Sequence, residues 1–163
     1  MIALVTGSQG LVGSESVKFL INKGLDVIGI DNDSRKYFFG KEASTKNVKK
    51  ELLKFQHRYK HKSIDIRSYN GLEKIFKEYG KNISLIIHAA AQPSHDWAIK
   101  EPHTDFNINA VGTLNLLELT KIYSNQAVFI QVSTNKVYGD TPNRLPLKEN
   151  KTRYEIDTSH NYY

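Results

Sequence analysis

Cysteine is absent from this chain of 163 residues, which also holds only four prolines and one tryptophan. Without cysteine there is no disulfide framework, no thiolate nucleophile and no cysteine-ligated metal site. No apolar run approaches the roughly 20 residues that a membrane-spanning helix needs, so no membrane partner is expected. The chain opens on an apolar segment without a basic leader, which predicts that it carries no signal peptide and resides in the cytoplasm.

Acidic residues are outnumbered by basic ones, 17 to 23, and the formal net charge is +6. Much of the excess lies at residues 36–62, and a basic stretch of this kind can bind nucleic acid. Its lysines, however, are spread through a polar segment without a nucleic-acid-binding motif, as is typical of a solvated surface. His57 and His61 have a spacing that could hold a metal, but no third ligand lies nearby in the sequence. We therefore expect neither a nucleic-acid partner nor a bound metal.

A glycine-rich segment, Thr6-Gly7-Ser8-Gln9-Gly10-Leu11-Val12-Gly13, follows an apolar run at residues 2–5 and precedes a helix-like stretch. Strand, glycine loop and helix in this order are typical of a dinucleotide-binding site. Gly7 would permit a tight turn, Gly10 a close approach of backbone N–H groups to a pyrophosphate, and Gly13 close packing of the helix. The helix N-terminus would add positive partial charge. An ordinary structural turn is the alternative, because turns also use glycine.

The sequence predicts a second buried strand at residues 26–30, with Asp31 at its end. An acidic side chain here can accept hydrogen bonds from the adenosine ribose, which favours NAD over its 2′-phosphorylated form. Two other interpretations remain open: Asp31 could simply begin a polar loop, and Arg35 and Lys36 could accept a 2′-phosphate. A carboxylate repels a phosphate at close range, so we predict NAD.

Further strands are predicted at residues 59–64, 83–89 and 126–133, and helices at residues 68–79 and 103–123. Strands that alternate with helices indicate an α/β fold, here a Rossmann-type doubly wound parallel sheet. Right-handed crossovers give the strand order 3-2-1-4-5 and place the ligand crevice between strands 1 and 4.

Apolar spacing predicts which faces of the two helices are buried. In the first helix the buried side chains should be Leu72, Ile75, Phe76 and Tyr79, and in the second Phe106, Ala110, Leu114 and Leu117. Residues 134–163 are expected to form a polar loop. Ala89, Ala90 and Ala91 follow the fourth strand, where small side chains would let a nucleotide approach the backbone.

Six motifs occur in order along the chain: the glycine loop, Asp31-Asn32, Asp65-Ile66, His88-Ala89-Ala90-Ala91, Asn109-x-x-Gly112-Thr113, and Ser-Thr-Asn-Lys-Val-Tyr-Gly-Asp at residues 133–140. Their joint spacing resembles the extended short-chain dehydrogenase/reductases that epimerise or dehydrate nucleotide-activated sugars. The resemblance covers nearly the whole chain. Within that family, residues 31–36, 133–136 and 152–154 look most like the CDP-paratose 2-epimerases (CDP-tyvelose epimerases).

The resemblance implies a role for each matching residue. Residues that would bind NAD are Gly7, Gln9, Gly10, Leu11, Val12 and Gly13 in the loop, Asp31, Asn32, Ser34 and Arg35 at the ribose, Asp65 and Ile66 at the adenine, and Ala89, Ala90, Ala91 and Asn109 beside the fourth strand. Residues near the substrate, a nucleotide-diphosphate sugar and most closely a CDP-sugar, would be Gln92, Ser94, His95, Asn135 and Lys136. Thr134 would be the catalytic hydroxyl that hydrogen-bonds the reacting sugar oxygen.

The implied activity is NAD-dependent epimerisation by transient oxidation of the sugar. The family's catalytic Tyr-x-x-x-Lys pair should follow Thr134, but residues 135–163 contain no such pair, and Tyr162 and Tyr163 have no lysine after them. The spacing does occur at Tyr37 and Lys41, on the adenosine side, which we interpret as coincidence.

We therefore expect residues 1–163 to be the NAD-binding amino-terminal part of a longer enzyme, inactive alone and truncated before its last strands and substrate lobe. The resemblance is compatible with a homodimer or a homotetramer of that enzyme. One alternative is a nucleotide-sugar 4,6-dehydratase, although such enzymes carry Asp-Glu where this chain has Asn135-Lys136. Another is a non-catalytic NAD(P)-sensing module.

Overall fold

The computed structural model describes residues 1–159, with side chains at all of them except Asn135 and Lys136. Two compact units are present, Met1–Val132 and Ser133–Tyr163. The first contains a parallel sheet of β1 (Ile2–Thr6), β2 (Asp26–Ile30), β3 (Tyr59–Lys62), β4 (Ile83–His88) and β5 (Val128–Gln131). Its strand order, β3-β2-β1-β4-β5, confirms the predicted Rossmann-type topology.

The helices of the first unit are α1 (Leu11–Asn22), α2 (Arg35–Phe39), α3 (Lys46–Leu52), α4 (Tyr69–Tyr79), α5 (His95–Lys100), α6 (Pro102–Phe106) and α7 (Gly112–Tyr123). A π-helical turn, Asn107–Val111, joins α6 to α7. Hydrophobic periodicity does not predict α2 and α5, because their 5 and 6 residues complete fewer than two turns. Among residues 1–159, no helix combines the length and the apolar character required to cross a bilayer.

Both faces of the sheet are covered, which is why its inner strands are almost continuously apolar. On one face Leu4 and Ile86 pack with residues of α4 and α7. On the other face Ala3 and Val5 pack with residues of α1 and α3. Packing in these two cores fixes where the strands end relative to the helices, and the candidate site lies at these ends.

The structure confirms the buried face of α4, where Leu72, Ile75 and Phe76 are buried. The buried stripe predicted for the helix at residues 103–123 is wrong, because Phe106 and Leu114 are 62% and 56% exposed. The side chains that face the core are instead Ile108, Leu116 and Leu119. This segment carries two apolar stripes with the same helical spacing, so spacing alone does not decide which of them is buried.

The second unit contains an antiparallel hairpin of β6 (Leu147–Glu149) and β7 (Tyr154–Ile156), preceded by 3₁₀ turns at Asn135–Tyr138 and Thr141–Arg144. The expectation of a loop throughout this region is therefore wrong. Its strands have three residues each and are exposed, so they show no alternation of buried and polar positions. Tyr162 and Tyr163 lie outside the described residues.

Candidate functional site

A groove of about 280 Å³ lies at the carboxyl ends of β1 and β4, between the two halves of the sheet. Open α/β sheets bind their ligands at this point, where the strand order reverses. All of the predicted cofactor residues except Gln9 and Asn109 line it. The full lining comprises Gly7, Gly10, Leu11, Val12, Gly13, Ile30, Asp31, Asn32, Ser34, Arg35, Phe38, Thr45, Ile64, Asp65, Ile66, Ala89, Ala90, Ala91, Pro93, Ile108 and Val132.

Two glycines of the loop occupy positions that exclude a side chain. Gly7 has φ +63°, and a Cβ there would lie 2.8 Å from the backbone of Ala89. A Cβ on Gly13 would lie 2.0 Å from the carbonyl oxygen of Gly7. Gly7 therefore makes the expected tight turn. The close contact that Gly13 permits is with the loop itself rather than with the sheet.

The N-terminus of α1 faces the groove with its backbone N–H groups available. Gly10 is the N-cap, and within the described part of the chain no side chain caps this end of the helix. The first N–H groups of a helix have no intrahelical acceptor, and the helix dipole adds positive partial charge. Leu11 and Val12 in this first turn line the groove. The arrangement suits an anionic group such as a diphosphate.

Asp31 ties the end of β2 to the glycine loop. Its Oδ2 accepts the Gln9 N–H at 2.9 Å, and its Oδ1 accepts the Asp33 N–H at 2.8 Å. Burial raises the pKa of Asp31, and these two hydrogen bonds oppose that rise. The carboxylate is thus held at the groove wall, where a ligand hydroxyl could reach its remaining acceptor sites.

Gln9 supports this loop from behind. Its side chain is buried, with Oε1 accepting the hydroxyl of Thr45 at 2.9 Å and Nε2 lying 3.1 Å from Nδ1 of His61. Burial, with a smaller effect from Lys49, lowers the pKa of His61 to about 4. Gln9 therefore contacts protein groups through both its amide side chain and its backbone N–H.

Asp65, at the groove wall after β3, has several partners already. Its carboxylate accepts the Asn32 amide at 3.0 Å and pairs with the Arg67 guanidinium at 3.0 and 2.7 Å. Burial would raise the pKa of Asp65, but the bonds from Arg67 and Asn32 outweigh it and lower the pKa. An adenine amino group would have to share this carboxylate with those donors.

A buried polar chain crosses the ends of β1 and β4. His88 is fully buried, with Nδ1 2.6 Å from the hydroxyl of Thr6 and Nε2 2.9 Å from that of Thr113. The Thr113 hydroxyl donates to the Asn109 carbonyl at 2.7 Å, so Nε2 of His88 must carry the proton. Thr6 then donates to Nδ1 and accepts the Ala90 N–H at 3.2 Å. Burial lowers the pKa of His88 to about 4 and keeps the ring neutral.

The segment after β4 is fixed by Asn109 and Gln92. The Gln92 N–H donates to Oδ1 of Asn109 at 2.9 Å, and Nδ2 of Asn109 donates to the Gln92 carbonyl at 3.1 Å. The Gln92 side chain is buried and bonded to Ser94 and Asp105. Ser94 caps α5, which begins at His95. In the structure these hydrogen bonds of Gln92 and Ser94 stabilise the loop after β4. Contact of Gln92, Ser94 and His95 with a substrate stays a prediction.

A family model described as GDP-mannose 4,6 dehydratase matches residues 4–158. The chain belongs to this family. It is 34% identical over 163 residues to a CDP-paratose 2-epimerase of Salmonella typhi, and the match covers 100% of the chain and 45% of that protein.

Two solved structures of UDP-glucose 4-epimerases are similar to the fold. The Thermotoga maritima enzyme, solved with UDP-glucose, has a TM-score of 0.68 and 32% identity over 86% of this chain and 40% of its own. The Bifidobacterium longum enzyme, solved with NAD+ and UDP, has a TM-score of 0.70 and 26% identity over 97% of this chain and 43% of its own. The chain spans less than half the length of these relatives. The similarity confirms the predicted epimerase and dehydratase family.

Some residues of this family member that line the groove are not predicted from the sequence, Phe38 and Thr45 among them. Both come from the lysine-rich stretch after β2, which resembles a solvated surface. The run Tyr37-Phe38-Phe39 within that polar stretch is a signal that could have identified Phe38, whereas no sequence signal marks Thr45.

Thr134 lies in the second unit, as do Asn135 and Lys136, whose side chains are outside the described set. Each of the two units is held together by contacts within itself. The catalytic role of Thr134 and the substrate roles of Asn135 and Lys136 stay predictions.

Proposed function

We propose that this chain is the cofactor-binding part of an NAD-dependent nucleotide-sugar epimerase. The observation that carries the proposal is the uncapped N-terminus of α1, which faces the groove behind a glycine loop that admits no side chain at Gly13. A dinucleotide pyrophosphate is the anion that this geometry fits in a Rossmann-type sheet. The NAD+ complex of the similar B. longum epimerase supports the choice of cofactor.

The groove residues fit the two halves of NAD. The N–H groups of Leu11 and Val12 would hold the pyrophosphate. The adenosine would lie along Asp31, Asn32, Ser34, Arg35, Asp65 and Ile66, and the dinucleotide would pass Ala89, Ala90 and Ala91. When bound, NAD supplies a hydride acceptor for the sugar. Asp31 argues against a 2′-phosphate, because its carboxylate is fixed at the wall by Gln9 and Asp33.

For the substrate we propose a CDP-sugar inverted at carbon 2. The 34% identity to a CDP-paratose 2-epimerase along all of this chain supports this choice. Thr134 would hydrogen-bond the reacting sugar oxygen, and Asn135 and Lys136 would lie beside the sugar. A cytoplasmic enzyme agrees with the lack of cysteine in the chain. Exposed Phe106, Leu114 and Leu117 offer an apolar stripe that a second copy could cover.

One observation favours a second candidate, a nucleotide-sugar 4,6-dehydratase, because the matching family model carries that description. Those enzymes have Asp-Glu after the catalytic threonine, where this chain has Asn135-Lys136. The exchange removes a carboxylic acid that could transfer a proton, and this favours the epimerase. A non-catalytic NAD(P)-sensing module would share the groove and lack turnover.

The cofactor is tested first with Gly10→Val, because Gly10 has extended backbone and lines the groove. A valine there should keep the circular dichroism spectrum and abolish NAD binding in calorimetry. Asn22→Val, at the exposed far end of α1, is the matched control and should bind normally. NAD binding by Gly10→Val equal to that of the control would contradict the pyrophosphate site.

The reaction is tested with the full-length protein. Mass spectrometry should find retained NAD, and incubation with CDP-sugars should yield an epimer of unchanged mass. A product lighter by one water would identify the dehydratase instead. NAD binding without turnover on CDP- or UDP-sugars would favour the sensing module.

A further inference from the structure

Four residues connect the segments that follow β2 and β4, and we call them the aromatic strap: Tyr37, Phe38, Trp97 and Glu101. Tyr37 and Phe38 lie on α2, which follows β2. Trp97 lies on α5, which follows β4, and Glu101 comes directly after α5. The strap therefore joins segments from opposite sides of the point where the strand order reverses.

The contacts within the strap are specific. Nε1 of Trp97 donates to the Phe38 carbonyl at 2.6 Å, and the two rings pack edge to face with centroids 5.5 Å apart. The Tyr37 ring lies 5.4 Å from that of Trp97, and its hydroxyl donates to the Glu101 carboxylate at 2.9 and 3.1 Å. Ring packing and hydrogen bonds thus hold α2 and α5 together.

Phe38 links the strap to the groove. Its ring is buried with Ile66 and Ile108, and it lines the groove beside Ser34 and Arg35. Of these neighbours, Ile66, Ser34 and Arg35 belong to the part of the groove proposed to bind the adenosine. Trp97 packs against the same cluster from the α5 side. Movement of Trp97 would therefore release Phe38 from the adenosine end.

Helices as short as α2 and α5 are not stable alone, so their order depends on the packing between them. Each strap contact is individually weak. Phe38 and Trp97 belong to one margin of the core, and most of its other members come from the strands, α4 and α7. The strap can therefore open as a unit while the larger part of that core stays packed.

We propose that Trp97 is a positioning residue that holds Phe38 against the adenosine half of bound NAD, so that opening of the strap limits how fast the cofactor enters and leaves. This inference rests on the proposed NAD site and adds the control of its exchange. A gate of this kind slows association and dissociation together, whereas a simple contact with the ligand slows dissociation alone.

The experiment measures NADH exchange by stopped flow in purified protein from which any retained NAD has been removed. Association is followed on mixing, and dissociation by chasing bound NADH with excess NAD+, with NADH emission as the signal. Trp97→Ala should raise both rates about tenfold and change Kd less than threefold, because NADH enters and leaves through the same opening. Trp97→Phe, which keeps a ring and loses the N–H donor, should lie between wild type and Trp97→Ala.

Two further variants complete the test. Tyr37→Phe removes only the hydroxyl bond to Glu101, so it should fold normally and raise both rates about threefold. Phe19→Leu, on the exposed face of α1, is the control and should exchange NADH as wild type does. Circular dichroism verifies the fold of each variant.

The outcomes separate the two proposals. Wild-type protein that binds no NADH would overturn both the NAD site and the strap. Wild-type binding with unchanged exchange in Tyr37→Phe and the Trp97 variants would overturn the strap alone. A faster dissociation rate matched by an equal loss of affinity, with the association rate unchanged, would also overturn the gate. It would indicate that the strap only contacts the bound cofactor.

Discussion

Stability at mildly acidic pH should depend on His88. The ring is fully buried between the hydroxyls of Thr6 and Thr113, and burial lowers its pKa from 6.5 to about 4. Above pH 6.5 the imidazole is neutral in both the folded and the unfolded chain, so its contribution is constant. Below that value the unfolded chain binds a proton that the folded chain refuses. Stability is therefore present above the unfolded pKa and is lost as pH falls towards the folded pKa.

The size of the effect follows from the shift in pKa. Each pH unit between the two values costs about 1.4 kcal/mol. Between pH 6.5 and 5 the free energy of unfolding should fall by about 2 kcal/mol from this group. The loss approaches about 3 kcal/mol near pH 4.

Urea unfolding at pH 7.5, 6.5, 5.5 and 5 measures this slope. His88→Gln keeps a donor for Thr113 but cannot titrate, so it should be less stable at pH 7.5 and lack the histidine component of the slope. His61→Gln is the control. The pKa of His61 is also lowered to about 4, but this side chain is only half-buried, so solvent screening reduces its contribution to the pH dependence of stability. A slope in His88→Gln equal to that of wild type would refute the account of a buried, neutral imidazole.

Three other perturbations have expected outcomes. Gly13→Ala should lower stability by about 3 kcal/mol, because its Cβ would lie 2.0 Å from a backbone oxygen; a wild-type melting temperature would contradict this close contact. Asp31→Ala should weaken NAD binding by about 1.5–3 kcal/mol in calorimetry through loss of charge-assisted hydrogen bonds, with Asp31→Asn intermediate; unchanged affinity would count against the ribose role. In the full-length protein, if it is the proposed epimerase, Thr134→Ala should cut turnover more than NAD affinity, and Thr134→Ser should restore part of it; full activity in Thr134→Ala would leave the hydroxyl without a catalytic role.

Local patterns were sufficient to predict much of the fold. Strand β2 has the bounds expected from its apolar run, and α4 buries Leu72, Ile75 and Phe76 as its spacing indicates. The glycine loop and the acidic strand end both lie at the groove, as their positions after β1 and β2 indicate, and the contact of Asp31 with a ribose stays a prediction. Such features depend on neighbours within a few positions, so they can be read from the chain directly.

Two features could not be predicted in this way. The buried face of the helical segment at residues 102–123 is decided by what packs against it: Ile108 and Leu116 meet the core, while Phe106 and Leu114 do not. The strap likewise joins Phe38 to Trp97 across 59 positions of sequence, and the helices that carry them are too short for a periodic signal.

The sequence by itself determined the strand–loop–helix order, the glycines at positions that exclude side chains and the carboxylate at the end of β2, because each is a local requirement of backbone geometry or charge. Only the tertiary structure decided which distant partners those groups have: Gln9 N–H on Asp31, the Asn32 amide on Asp65, and two threonine hydroxyls on His88. The physical reason is that a hydrogen bond between distant residues depends on how the sheet and its loops bring them together, which no short stretch of sequence encodes.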